Sequence, residues 1–212
     1  MAVFLHRRVW AMALATLATV AAGRPLEFDD IAREGELRLL AERPDPEAYA
    51  YRAETWVDEE SLRTGVVRVH TCHVRLDPNQ RVVVLFSRER VQSIRITESE
   101  GIEQATVEGP RVELAGVQRG ARLCVELRSR ALDPVGEGRW RLHAGPLMRR
   151  YLDGYLPMQA DLTLHWPAGL LRVAAVEPQP QPGVQLRVQD DGASLHLIFA
   201  GRLAARWELE RP

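Results

Sequence analysis

Apolar and polar residues alternate with a period of two in short runs along most of this 212-residue chain, and this alternation constrains the fold more than any other feature. In residues 49–57, for example, Tyr, Tyr, Ala, Thr and Val alternate with Ala, Arg, Glu and Trp. A period of two places successive side chains on opposite faces of a strand, whereas a helix requires a period of 3.6. The pattern therefore predicts half-buried β-strands.

Further runs of this kind are short and are separated by predicted turns rich in Asp, Asn, Gly and Pro, as at residues 77–79, 100–101, 108–110 and 191–192. They occupy residues 66–76, 81–86, 91–97, 104–108, 111–114, 121–128, 139–143, 160–166, 170–176, 184–188, 194–199 and 204–209. No stretch of helical period is long enough to connect parallel strands. The sequence therefore predicts an all-β fold, an antiparallel β-sandwich or barrel-like domain with one short helix in a loop.

The expected position of that helix is residues 145–158, called the 145–158 loop below. Pro146 lies where a first turn would begin, and Gly154 lies at a plausible position just after a helix. The residues in this loop that could contact a ligand or partner are Arg149, Arg150, Tyr151, Asp153 and Tyr155. With Arg141, the arginines could form an anion pocket, because guanidinium groups bind carboxylates and phosphates. Alternatively, the helix only closes one end of the sandwich, and Asp153 forms a local ion pair.

The N-terminus has the pattern of a secretory signal peptide in residues 1–23. Arg7 and Arg8 precede an acid-free apolar run, 9–22, that ends in small residues. We therefore expect a signal peptide at 1–23, an N-terminal segment at 24–46 that contains a short helix or first strand, and a single β-sandwich domain at 47–212. The expected location is periplasmic or secreted, by ordinary secretion or, given the Arg pair, by twin-arginine export.

The two cysteines, Cys72 and Cys124, both lie in predicted strands. Thiols exported to an oxidising compartment tend to pair, so we expect a Cys72–Cys124 disulfide. The strand pattern places Cys124 on a polar-looking face, which favours a bridge at a sheet edge or beneath a second covered face.

The segment His70-Thr71-Cys72-His73 offers soft-metal ligands. Imidazole and thiolate groups suit copper or zinc, so a site formed by His70, Cys72 and His73 is a second hypothesis. In a strand, His70 and Cys72 project to one side and His73 to the other, and a disulfide would remove the thiolate. The alternative is a disulfide cysteine between ordinary histidines, with no cofactor.

Motifs and charge restrict the remaining functions. The sequence contains no G-x-S-x-G, H-E-x-x-H, P-loop or G-x-G-x-x-G motif, although a Ser/His/Asp set assembled only in the fold would leave no such signal. The formal net charge is −1, which gives no field for nucleic acid or an anionic membrane. All 28 basic residues are Arg, as expected from a GC-rich bacterial genome. We therefore expect a non-catalytic binding or accessory module of the cell envelope that recognises another envelope protein or a small ligand.

Overall fold

A computed structural model describes residues 35–43, 45, 47–151 and 154–212, and almost all of their regular structure is β-strand. One helix is present in this part of the chain, α1 (Glu59–Thr64). The strands are β1 (Arg38–Leu39), β2 (Ala50–Trp56), β3 (Val66–Leu76), β4 (Asn79–Leu85), β5 (Val91–Glu108), β6 (Arg111–Arg130), β7 (Leu132–Gly136), β8 (Arg139–Leu147), β9 (Arg150–Tyr151), β10 (Gly154–Tyr155), β11 (Met158–His165), β12 (Arg172–Glu177), β13 (Val184–Gln189), β14 (Gly192–Ala200) and β15 (Leu203–Glu210). The predicted all-β fold is confirmed.

The predicted signal peptide, residues 1–23, and residues 24–34 of the N-terminal segment lie outside the described residues. The described end of that segment contributes β1, which pairs with β14. No helix in the described part of the chain is long and apolar enough to cross a membrane.

The strands form two large sheets. The nine-stranded sheet has the order β1-β14-β11-β2-β3-β6-β4, with β13 added on β14 and β5 on β6, and the four-stranded sheet has the order β12-β15-β8-β7. Neighbours in both sheets are antiparallel except β2 and β11, which are parallel. Buried side chains from both sheets form one core, so the sheets pack as a sandwich.

The alternation determines which side chains enter that core. In β14, Leu195, Leu197 and Phe199 are fully buried, and Trp207 and Leu209 of β15, in the other sheet, belong to the same core. Burying such side chains stabilises each by about 1.5–3 kcal/mol relative to exposure. Each strand of a sandwich has one face in the core and one face in solvent, so its side chains alternate between apolar and polar. The period of two in the sequence therefore predicts this architecture.

Strands β5 and β6 are longer than the sequence predicts, because two predicted interruptions are irregularities within continuous strands. Residues 91–97 and 104–108 are both part of β5, and 111–114 and 121–128 are both part of β6. Gly101, predicted as a turn, adopts a φ of +67° at a shift of register between Glu100 and Ile102. An extra residue in one strand bends the hairpin without ending it, as in a β-bulge.

The single described helix does not lie in the 145–158 loop. Asp58 caps α1 by accepting a hydrogen bond from the Ser61 amide at 2.8 Å, and Gly65 ends it with a φ of +74°. The helix expected in the 145–158 loop is instead extended chain: β8 continues to Leu147, and the short strands β9 and β10 pair with each other. Residues 152 and 153 of this loop lie outside the described part.

A contact with Asp77 explains why the loop is extended. The side chains of Arg149 and Tyr151 both hydrogen-bond to Oδ2 of Asp77. Residues i and i+2 point to the same side in a strand but not in a helix. The tertiary contact therefore requires the extended conformation and overrides the local helix signals at Pro146 and Gly154.

Candidate functional site

Charged side chains surround a cavity where β3 meets β4. The two strands pair with the same edge of β6, one after the other. The last pair of β3 with β6 is Leu76–Ala121, the first pair of β4 with β6 is Asn79–Val117, and no pairing lies between them. Residues 77–78 thus lie opposite 118–120 without strand pairing. The irregularity opens the sheet at this point, and the 145–158 loop borders the opening.

The opening is a cavity of about 480 Å³, called the arginine cleft below. Its charged lining residues are Arg43, Arg75, Arg119, Arg149, Asp45, Glu47 and Asp77. They come from the segment before β2, the end of β3, the middle of β6 and the segment after β8. Four guanidinium groups from distant parts of the sequence therefore surround one cavity, with three carboxylates among them.

Arg75 has a backbone conformation that side chains other than Gly rarely adopt. Its φ is +60°, and it lies at the register shift between Val74 and Leu76. A non-Gly residue in the left-handed region costs about 1–3 kcal/mol, and such residues cluster at functional sites. The bulge makes Arg75 a lining residue of the cleft, where its Nη1 is 3.5 Å from Oε2 of Glu47.

Arg149 is the most buried of the ion-paired arginines in the cleft, with 13% of its side chain exposed. Its Nη2 donates to Oδ2 of Asp77 at 2.5 Å, and its Nη1 donates to the Pro157 carbonyl at 3.1 Å. Partial burial by itself raises the pKa of Asp77, but the hydrogen bonds from Tyr151 and Arg149 outweigh it and hold that pKa below its usual value. Asp77 is therefore a carboxylate near neutral pH and fixes both side chains.

Arg43 is held by neutral acceptors rather than by carboxylates. It donates to the carbonyls of Ala48 and Tyr49 and, at 3.1 Å, to Oε1 of Gln159. Burial, followed by repulsion from Arg75, lowers the pKa of Arg43, although a guanidinium remains charged near neutral pH. The two positive charges are thus held close enough to repel each other.

Three arginines that line the cleft each have a buried donor with no hydrogen-bond acceptor within the described part of the chain. These donors are the Nε atoms of Arg43, Arg75 and Arg149. Most buried polar atoms in proteins are paired with protein or ordered water, so a group without a protein partner indicates a bound water, a bound ion or ligand, or strain. Glu47 does little to neutralise the cleft, since its side chain is 84% exposed. The arrangement favours an anion that brings its own oxygen atoms.

A buried polar layer lies beneath Arg149. The Arg149 guanidinium is 5.7 Å from the ring centroid of Tyr49, and the Tyr49 hydroxyl is 2.7 Å from Nδ1 of His73. His73 is 8% exposed, and its Nε2 has no partner among the described residues. Burial lowers the pKa of His73 to about 4 and raises that of Tyr49, so both are neutral near pH 7.

The structure separates the residues that the sequence proposed for the 145–158 loop. Arg149 lines the arginine cleft, and Tyr151 contacts it through Asp77. Arg150 lies 5.7 Å from the ring centroid of Tyr155, and Asp153 lies outside the described residues. Their role as ligand contacts stays a prediction.

Arg141, proposed for the same anion pocket, lies on β8 and is not among the lining residues of the cleft. It donates instead to Oε1 of Glu208 on β15 at 2.6 Å. The arginines that line the cleft together with Arg149 are Arg43, Arg75 and Arg119. Sequence reasoning missed them because arginines are spread evenly along the chain and none of the three stands out. The Asp-Pro-Asn run at 77–79 and the Arg-Gly pair at 119–120 mark this place, but each predicts only an ordinary turn.

The predicted disulfide is confirmed. Cys72 of β3 and Cys124 of β6 are directly opposite each other, with a Cα–Cα distance of 4.1 Å and a sulfur–sulfur bond.

His70 lies on the same side of β3 as Cys72, whereas His73 lies on the other side in the buried layer. The structure therefore brings His70 and Cys72 together with Cys124 rather than with His73. The soft-metal hypothesis stays a prediction.

A second cavity, of about 310 Å³, lies on the nine-stranded sheet over β11, β13 and β14. Asp161, Ser194 and His196 all line it, and Nδ1 of His196 is 2.5 Å from Oδ1 of Asp161. Asp161 also accepts from Gln159 at 2.9 Å. These contacts are those of a polar patch on the sheet surface.

Comparison with known proteins leaves the family open. No protein-family profile and no curated protein matches this sequence. One matching structure is an M1 zinc metallopeptidase variant from Deinococcus radiodurans bound to a Tyr-Ser-Ala substrate, with a TM-score of 0.41 and 12% identity. A two-domain M1 zinc metallopeptidase bound to L-tryptophan has a TM-score of 0.38 and 11% identity. Each match covers 76% of this chain and 42% of the other, so this chain spans less than half of their length.

Proposed function

We propose that this protein is a non-catalytic β-sandwich binding module of the bacterial cell envelope, and that its arginine cleft binds an anionic group of a small ligand or of another envelope protein. The observation that carries the proposal is the set of four guanidinium groups around one cavity, three of them with an unpaired buried Nε. Arginine presents several donors in a rigid fork that matches carboxylate and phosphate oxygens.

The chemistry of these groups favours binding over catalysis. Guanidinium groups hold and orient anions but do not exchange protons near neutral pH. The one carboxylate that is fixed in the cleft, Asp77, has a lowered pKa and is occupied by Arg149 and Tyr151. A general acid or base requires a pKa closer to the working pH.

The proposed location is the periplasm or the extracellular space. Two observations support it: the signal-peptide pattern in residues 1–23 and the Cys72–Cys124 disulfide. Disulfides persist in oxidising compartments and are rare in the cytosol. A small anion or an acidic segment of an envelope protein would both be accessible there.

Calorimetric titration of the exported protein with inorganic phosphate and with succinate tests the proposal. We expect saturable binding of one anion per chain, weakened about tenfold or more when Arg75→Ala and Arg119→Ala are combined, because each removes a charge-assisted contact. The matched control is Arg128→Ala, an exposed arginine on the same strand as Arg119, which should bind as the wild type does. Equal affinities in the double variant and the wild type, or no binding of either anion, would contradict the proposal.

A further inference from the structure

Three side chains of types that can ligate a metal meet on the face of the nine-stranded sheet opposite the buried His73. One nitrogen of His70 and the sulfur atoms of Cys72 and Cys124 all lie within 4.8 Å of one another. His70 and Cys72 are two residues apart on β3, and Cys124 is directly opposite Cys72 on β6. Imidazole and two thiolates are ligands that Zn²⁺ and Cu⁺ accept in proteins.

An oxygen ligand is also adjacent. Oε2 of Glu98, on β5, is 3.3 Å from Sγ of Cys124, and the other oxygen of Glu98 is 3.2 Å from Nη1 of Arg122. A ligand set of two sulfurs, one nitrogen and one oxygen matches the four-coordinate sites that Zn²⁺ prefers. His70 and Cys72 are partly exposed, so an ion can reach the cluster from solvent.

In the disulfide form, both sulfur atoms are bonded to each other and neither is a thiolate. We propose that reduction of Cys72–Cys124 converts this cluster into a site for a d¹⁰ cation, Zn²⁺ or Cu⁺, with Cys72, Cys124 and His70 as ligands and Glu98 completing the set. Metal binding would then depend on the redox state of the protein.

The reduction requires a dithiol, as a thioredoxin-like partner would supply. Its two thiols provide two electrons and two protons, the bond between the two sulfurs breaks to give two thiols, and the partner becomes a disulfide. The cation then replaces the two thiol protons, which are released to solvent. His70 binds as the neutral imidazole.

The sheet itself holds the ligands in place after reduction. Strands β3 and β6 pair from Val66↔Arg130 to Leu76↔Ala121, with pairs on both sides of the cysteines, and β6 is flanked by β5. The cysteines therefore remain opposite each other through backbone hydrogen bonds that do not depend on the sulfur–sulfur bond. A site with prearranged ligands binds a metal without a large ordering cost.

The test compares the full-length exported protein in its disulfide form with the same protein reduced and then desalted under argon. Each is titrated with Zn²⁺ against a chromophoric chelator, and with Co²⁺ to detect thiolate charge-transfer absorption. We expect one tightly bound Zn²⁺ and the Co²⁺–thiolate band in the reduced protein, and neither in the disulfide form. His70→Ala should weaken Zn²⁺ binding about tenfold or more, by loss of one ligand.

The matched control is His165→Ala, another partly exposed strand histidine of the same sheet, which should leave the affinity unchanged. Equal Zn²⁺ binding by the two redox forms, or wild-type affinity in reduced His70→Ala, would overturn the proposal. Reduction that abolishes the near-ultraviolet circular dichroism, with no recovery on adding Zn²⁺, would also overturn it. None of these outcomes depends on anion binding at the arginine cleft.

Discussion

The disulfide and the arginine cleft lie on the same pair of strands, β3 and β6, but they form in opposite ways. Cys72 and Cys124 meet because the pairing of β3 with β6 is regular, whereas the cleft exists because that pairing stops after Leu76↔Ala121. Regular pairing fixes which residues are opposite each other and leaves little room between them. An interruption opens space and turns side chains such as Arg75 into it. The comparison indicates that the regular part supplies stability, while the irregular part supplies the cavity that we propose as a binding surface.

The largest effect is expected in the regular region, from replacing both cysteines in Cys72→Ser/Cys124→Ser. The disulfide links residues 52 apart in sequence, and closing such a loop stabilises the folded state by about 4 kcal/mol in the chain-entropy model. Urea unfolding of the variant and the wild type measures the difference. A loss below about 1 kcal/mol would show that the strand pairing alone determines the stability of this region.

The buried layer beneath the cleft should make stability depend on pH. Burial holds the pKa of His73 at about 4, below its unfolded value of about 6.5, so the unfolded chain binds the proton more readily. The native state is then favoured fully above about pH 6.5 and loses up to about 3 kcal/mol as the pH falls towards 4.

Urea unfolding at about pH 7 and about pH 4.5 measures this loss. The matched variant is His73→Gln, which cannot titrate and should lose less stability between the two pH values. An identical pH dependence in the variant and the wild type would mean that other groups, such as Asp77, cause the loss.

Asp77→Asn should destabilise the protein by about 1.5 kcal/mol, because the charge-assisted hydrogen bonds from Arg149 and Tyr151 weaken while Arg149 remains buried. The value is at the lower end of the range because 35% of the Asp77 side chain is exposed. The control is Glu177→Gln, in an exposed pair with Arg206, where the change should be within about 0.5 kcal/mol. If both variants lost the same free energy of unfolding, the hydrogen bonds of Asp77 to Arg149 and Tyr151 would matter no more than an exposed ion pair, which would contradict the account.

The smallest effect concerns the backbone at Arg75. Arg75→Gly and Arg75→Ala both remove the guanidinium group, but only Gly adopts a φ of +60° without strain. The Gly variant should therefore be more stable than the Ala variant by about 1 kcal/mol. Equal stability in thermal or urea unfolding would show that this backbone position is not strained.

The sequence predicts the regular region well because its signal is local. Alternation with a period of two places Cys72 and Cys124 in strands, and predicted residues 66–76 coincide with β3. The prediction is wrong at Gly101, where the sequence predicts a turn and the structure has a bulge within β5. Bulges and turns both use Gly, so the local sequence does not distinguish them. The prediction is also wrong at the 145–158 loop, where one distant residue, Asp77, decides the conformation.

The cleft was predicted only in part because its residues are distant in sequence. Arg149 was proposed because it lies in a conspicuous loop, whereas Arg43, Arg75 and Arg119 carry no local signal that distinguishes them from the other arginines. Their meeting depends on where the pairing of β3 with β6 stops, which alternation alone does not specify. The left-handed conformation of Arg75 is likewise a consequence of the bulge.

The most direct test of the arginine cleft observes the guanidinium Nε–H groups themselves by ¹H–¹⁵N NMR during titration with inorganic phosphate and with succinate. The Nε resonances of Arg43, Arg75 and Arg149 should shift together and saturate with one dissociation constant, because their unpaired donors gain an acceptor or lie beside the bound charge. The Arg128 resonance should not move. Small, unsaturable shifts shared equally by all arginines would contradict the existence of an anion site in the cleft.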